Sequence, residues 1–217
     1  NLSDKKEKAY FTLNGAMGLE REGIRSDTRN VVGGFLSADG NVVSSRRDMS
    51  PSFFGRVFGK EAGLRGASEE YETALASGND IQIEDATARI RVGYNLPKEH
   101  ASARFLWAAA SNKYFTGILR PIPEKNANYC EWVSKATCWY RNPDKDKQND
   151  SGDESIGIHL ETASEEFSPG RSKEYRFQLY IGPKDRGLFY KNELYRTLGF
   201  RDTITFMACC CCPSCII

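Results

Sequence analysis

Tyr175-Arg-Phe-Gln-Leu-Tyr-Ile-Gly-Pro-Lys184 is the stretch on which the reading of this chain turns. Tyr175, Phe177, Leu179 and Ile181 alternate with Arg176, Gln178, Tyr180 and Gly182, the period-two pattern of a strand with one buried and one wet face. Gly182-Pro183 ends the run, and a helical segment follows from Asp185 to Leu198. Asp185 is placed to cap its start, Leu188, Leu194 and Leu198 fall near one face, and Gly199 is placed to stop it.

The same alternation recurs upstream. Ala9, Phe11 and Leu13 show it, as do Ala88, Ile90, Val92, Tyr94 and Leu96, and again Ile156, Ile158 and Leu160. Tyr114 to Arg120 and Tyr129 to Tyr140 are further strands, rich in aromatic and β-branched residues. Val31 to Leu36 and Asn41 to Ser45 flank the turn signal Ala38-Asp39-Gly40 and predict a hairpin. Several strands with little helix between them make the chain mainly β, as antiparallel sheets stacked in a sandwich. Two stretches break the pattern. Arg46 to Gly66, with four glycines and Pro51, reads as a long basic surface loop. Asn142 to Ser155 holds two lysines against five acids and reads as a disordered hairpin tip. Ser68 to Ala76 reads as a short helix with Ser68 as its cap.

A chain of 217 residues fits one large β domain or two small ones. Thirty basic side chains against twenty-nine acidic ones leave a net charge of +1, and nothing in this balance suggests a general nucleic-acid binder, which normally carries a basic excess on one face. The first residue is Asn and no signal-peptide pattern is present, so the N-terminus reads as a cut through a longer protein. No run reaches the ~18 apolar residues of a membrane helix, but Phe206 to Ile217 reads as the start of one.

Motifs for covalent chemistry are absent. There is no nucleophile elbow, phosphate loop, dinucleotide fingerprint or zinc-protease helix. His100 lies in the turn Pro97-Lys98-Glu99-His100, and His159 lies on the polar parity of its strand, so both read as surface histidines. Neither a cofactor nor a catalytic residue is expected. Seven cysteines form two groups. Cys130 and Cys138 would stand about 26 Å apart along one extended strand. If the chain reverses near Ser134-Lys135, a disulfide between them is geometrically open, with two buried free thiols as the equal alternative. Cys209 to Cys212 with Cys215 lacks the second, separated pair of a zinc site, and reads as an apolar, lipid-facing edge. Arg46, Arg47, Arg56, Lys60 and Arg65 make the long loop basic, a solvated surface or, more sharply, a contact for anionic lipid head groups. Trp107, Tyr114 and Phe115, taken alone, read as aromatics of the sheet core.

Together these residues resemble the large extracytoplasmic domain of the YidC-type bacterial membrane protein insertases. That family shows a Trp, six intervening residues, a Tyr-Phe pair and an apolar strand ending in Pro. Here these are Trp107, Tyr114-Phe115 and Thr116 to Pro121. The family closes the domain with a strand ending in Gly-Pro and a helix toward the membrane core, matched by Leu179, Gly182 and Pro183 and the segment after Asp185. Order and spacing match over residues 80–205. The acidic stretch at 142–155 and the cysteine cluster depart from the family pattern.

The resemblance implies an antiparallel β-supersandwich of the galactose-mutarotase type with a C-terminal helix. Residues 1–184 would form the sandwich, 185–199 the linking helix, and 200–217 the start of the membrane-proximal region. It implies the periplasmic side of the bacterial inner membrane, without enzymatic activity. Its partners would be nascent membrane proteins, the Sec translocon with its accessory subunits, and the bilayer at the C-terminal segment. A mutarotase-like enzyme or carbohydrate-binding module on the same sandwich is the alternative. His159 with Glu161 would be its only nearby acid–base pair. A metal or redox module built on the cysteine tail is the third reading.

Overall fold

In a computed structural model of the chain, the residues described are 6–15, 30–48, 73, 76–78, 98–125, 127–141, 155–166 and 172–204. The expected strand Ala88–Leu96, residues 49–66 of the basic loop, residues 142–154, Ser68 and the cysteine tail lie outside them. Thr73 and Ala76 of the expected short helix are helical, and so is Ser77, one residue past its expected end.

Ten antiparallel strands are described: β1 (Lys6–Glu7), β2 (Tyr10–Gly15), β3 (Asn30–Leu36), β4 (Val42–Asp48), β5 (Arg104–Ser111), β6 (Phe115–Pro121), β7 (Val133–Arg141), β8 (Ser155–Thr162), β9 (Glu165–Glu166) and β10 (Phe177–Pro183). One sheet has five strands in the order β10-β6-β5-β3-β4, a second has three in the order β2-β8-β7, and β1 pairs with β9. The chain is therefore mainly β, built on two antiparallel sheets with a few short helices.

The five-stranded sheet is the middle layer. On one face Val31, Phe35, Ala108, Ala110 and Leu119 meet Ala136, Cys138, Ile156, Ile158 and Leu160 of the three-stranded sheet. On the other face Val32, Leu106, Trp107, Ala109 and Ile118 meet Phe189, Leu198 and Phe200 of the C-terminal segment. Residues Leu106 to Ser111 of β5 are all buried, because both of its faces are covered. The β3–β4 hairpin forms at its turn signal: Gly40 takes φ 83°, and Ser37 Oγ donates to Asn41 O at 2.7 Å.

Several expectations are corrected. β7 runs through Ser134 and Lys135 as one strand, so there is no reversal to bring Cys130 and Cys138 together; both are buried free thiols. Burial pushes the Cys130 thiol up to about 11, against the opposing field of Arg120. The strand expected from Tyr129 begins only at Val133. Arg46 belongs to β4, not to a loop.

The C-terminal helix is two: α1 (Arg186–Lys191) and α2 (Glu193–Thr197). Asp185 caps α1 as expected, its carboxylate accepting from Leu188 N at 3.0 Å. Asn192 divides the two. Its extended backbone ends α1, and its side chain accepts from Tyr195 N at 3.1 Å to begin α2. Gly199, at φ 70°, ends α2 as expected and leads into a 3-10 turn, Phe200–Thr203. Of the expected leucine face only Leu198 is buried: Leu188 and Leu194 are exposed, and Phe189 and Phe200, each 1% exposed, fill the core with it. Aromatic rings fill the gap over the sheet better here, with Phe189, Tyr195, Tyr180 and Phe200 packed edge to face or stacked.

Candidate functional site

The sequence motifs converge on one platform. β6 lies between β5 and β10, and Phe115 pairs with Pro183, Thr116 with Gly182 and Leu119 with Leu179. Lys184 N donates to Tyr114 O at 2.8 Å, closing the same end. The turn from β5 to β6 is held by Asn112, whose Oδ1 accepts from Tyr114 N and Phe115 N at 2.9 and 2.7 Å. Residues distant in sequence thus become adjacent strands of one sheet edge.

Trp107 is fully buried, but under α1, α2 and the 3-10 turn rather than between the sheets. Its Nε1 donates to Leu198 O at 2.7 Å, and its ring meets that of Phe200 edge to face at 5.3 Å. Trp107 stands opposite Gly34, where the register shifts so that Phe35 faces Phe105 and Leu106 is the extra residue. A Cβ at Gly34 would lie 2.2 Å from Trp107 Cε2, so only glycine admits the indole. Other donors hold the same C-terminal segment: Arg46 Nη2 bonds Asp202 O and Ile204 O, and Lys184 Nζ donates to Thr203 O. Tyr180, on the covered face, donates from its hydroxyl to Pro183 O at 2.6 Å.

Tyr114 and Phe115 do not join the sheet core expected of these aromatics taken alone. Tyr114 and Phe115 are exposed, and so are Leu179 and Pro183; Pro121 is buried and Gly182 half-buried. Ile181 is 71% exposed. The reason is positional. The three-stranded sheet packs against β3 and β5, while β6 and β10 run on toward the open border. Phe115, Leu179 and Ile181 therefore form an apolar surface along the edge of the five-stranded sheet.

His159 and Glu161 share the outer face of β8, as their parity requires, but neither lines the two cavities described below. His159 is half-buried, and the Tyr10 ring stacks on it at 5.4 Å. Burial pushes its imidazole pKa down, against the pull of Glu161, and Glu161 is bonded to Lys8. A cavity of about 270 Å³ lies elsewhere, lined by residues that include Glu124, Tyr129, Trp132 and Glu165. His159 takes no part in it. Among the described residues no group of three or more potential metal ligands is assembled, and no helix is long and apolar enough to cross a membrane.

Sequence reasoning missed the groups that gather over the C-terminal segment. Arg46, Arg186, Tyr190, Arg201 and Asp202 line one cavity of about 380 Å³. Only Arg46 carried a signal, its place in a basic run; its nearness to Arg186 and Arg201 depends on a sheet register that no local pattern encodes. No family model, curated protein or solved structure matches the chain.

Proposed function

We propose that this chain is the extracytoplasmic domain of a YidC-type membrane protein insertase, a non-catalytic accessory that assists the insertion and folding of integral membrane proteins, alone or with the Sec translocon. In this reading the two antiparallel sheets are the core of a β-supersandwich, and the C-terminal segment leads toward the membrane core of the same protein. The domain lies on the periplasmic side of the bacterial inner membrane.

One observation carries the proposal. The residues that resemble the family pattern form a single unit: the Tyr114-Phe115 strand pairs with the Gly182-Pro183 strand, and Trp107 fastens the segment that follows. A chance likeness of scattered residues has no reason to assemble in this way. The exposed apolar edge of Phe115, Leu179 and Ile181 suits a contact with a partner subunit or an emerging apolar substrate. A mutarotase-like reading lacks support of this kind, since His159 and Glu161 line neither cavity described above.

The test is the gene itself. Several apolar spans encoded directly after Ile217 are expected, and a stop codon at that point would refute the proposal.

A further inference from the structure

The cavity over the C-terminal segment has a charge that no structural role uses up. Arg46 comes from β4, Arg186 from the first turn of α1, and Arg201 from the 3-10 turn. Arg46 is anchored by its bonds to the carbonyls of Asp202 and Ile204. Arg186 and Arg201 both lie over the ring of Tyr190, at 5.4 and 6.0 Å from its centre, which holds their guanidinium groups in place before any ligand arrives. Among the described residues Asp202 is the only acid lining the cavity, and its Oδ1 is 3.8 Å from Arg201 Nε, a weak pair with both side chains in contact with solvent. No carboxylate among the described residues pairs with Arg186. Ser44 and Tyr190 add hydroxyl groups to the lining. The Tyr190 phenol is pushed below its ordinary range, first by hydrogen bonding to Arg201 and then to Arg186, with the positive charge of Arg201 adding to it.

We infer that this cavity binds a phosphoryl group, with Arg186 and Arg201 as its direct ligands and Arg46 as the fixed charge behind them. Guanidinium donors arriving from separate elements match an anion with several oxygens better than a single carboxylate, and each planar fork can take two of those oxygens. The cavity volume accommodates a phosphate ester with its first substituents. The inference stands on these residues alone, apart from the insertase reading. The group belongs either to a soluble phosphate or to a phospholipid head group, and two arms of one experiment separate the sources.

The 217-residue chain is titrated with inorganic phosphate and with glycerol phosphate, followed by isothermal calorimetry. It is separately sedimented with phosphatidylcholine vesicles, with and without phosphatidylglycerol. The double variant Arg186→Gln/Arg201→Gln is compared with Lys125→Gln/Arg176→Gln, which removes the same charge from exposed positions elsewhere. Both variants alter exposed side chains, and circular dichroism checks that each retains its sheet. Saturable binding in either arm, weakened at least ~10-fold in the cavity variant but under ~2-fold in the control, is the expected result; ~10-fold corresponds to about 1.4 kcal/mol. Binding confined to the soluble arm assigns a soluble ester, and binding confined to phosphatidylglycerol vesicles assigns a lipid. Absence of saturable binding in both arms overturns the inference, and so does equal weakening in the two variants.

Discussion

Replacing Gly34 by Ala puts the packing of Trp107 to a direct test. The new methyl carbon would stand 2.2 Å from Cε2 and Nε1 of the indole and 2.7 Å from Cζ2. Comfortable carbon contacts lie near ~3.5–4.0 Å, so the overlap exceeds an ångström. The ring cannot retreat, because Phe200 stands on it and Nε1 is bonded to Leu198 O. Overpacking of this kind costs about 1–3 kcal/mol, and loss of the indole hydrogen bond adds roughly 1 kcal/mol. Removing a glycine from a strand returns only about 0.5–1 kcal/mol, so the steric effect wins. Gly34→Ala should therefore destabilise by about 2 kcal/mol in urea unfolding, and Trp107→Ala by about 3–5 kcal/mol. The decisive measurement is the double variant. With the indole gone, the methyl group has room, and the two losses should fall short of additivity by at least ~1 kcal/mol. Additive losses, or a neutral Gly34→Ala, would refute the close approach of β3 to Trp107 and the docking of the C-terminal segment upon it.

The two isoleucine environments make a second prediction: Ile158→Ala, at a fully buried position, should cost about 2–5 kcal/mol, whereas Ile181→Ala should stay within about 0.5 kcal/mol. A large loss at Ile181 would show that something covers the open edge. Cys130 makes the third. Its thiol is raised from 9.0 to about 11, so between those values the folded state holds a proton that the unfolded state has released. The stability from this group is complete below about pH 9 and is lost as pH rises toward about 11. Unfolding midpoints of wild type and Cys130→Ala, measured across that range, should converge; parallel curves would contradict a buried, neutral thiol.

The strands with one covered face were legible. Ile156, Ile158 and Leu160 alternate because β8 faces the core on one side only, and the Asp39-Gly40 turn declares its hairpin through local chemistry alone. The ends of the helical segment were legible for the same reason, since Asp185 and Gly199 act within one turn of themselves. Middle-layer placement was not. Trp107-Ala-Ala-Ala in β5 has no alternation, because covering both faces erases the period that parity reasoning needs. Alternation also marked Leu179 and Ile181 as apolar without revealing that the second sheet stops short of them. The division at Asn192 was hidden because its side chain competes for backbone donors only once Tyr195 N is brought within reach. The arginine cavity was the least legible feature, as it gathers one residue from β4 with two from the far end of the chain.

The fastening of the last described residues also has a mechanical consequence. The donors to their carbonyls stand on different parts of one sheet: Arg46 on the outer strand β4, Trp107 on the central strand β5, and Lys184 just past the opposite outer strand β10. A tug on the polypeptide at Ile204 is therefore shared across the breadth of the sheet instead of prising off one strand. The anchors reach from one border of the layer to the other, so the end of the described chain is tied to the sheet as a whole and not to a single strand.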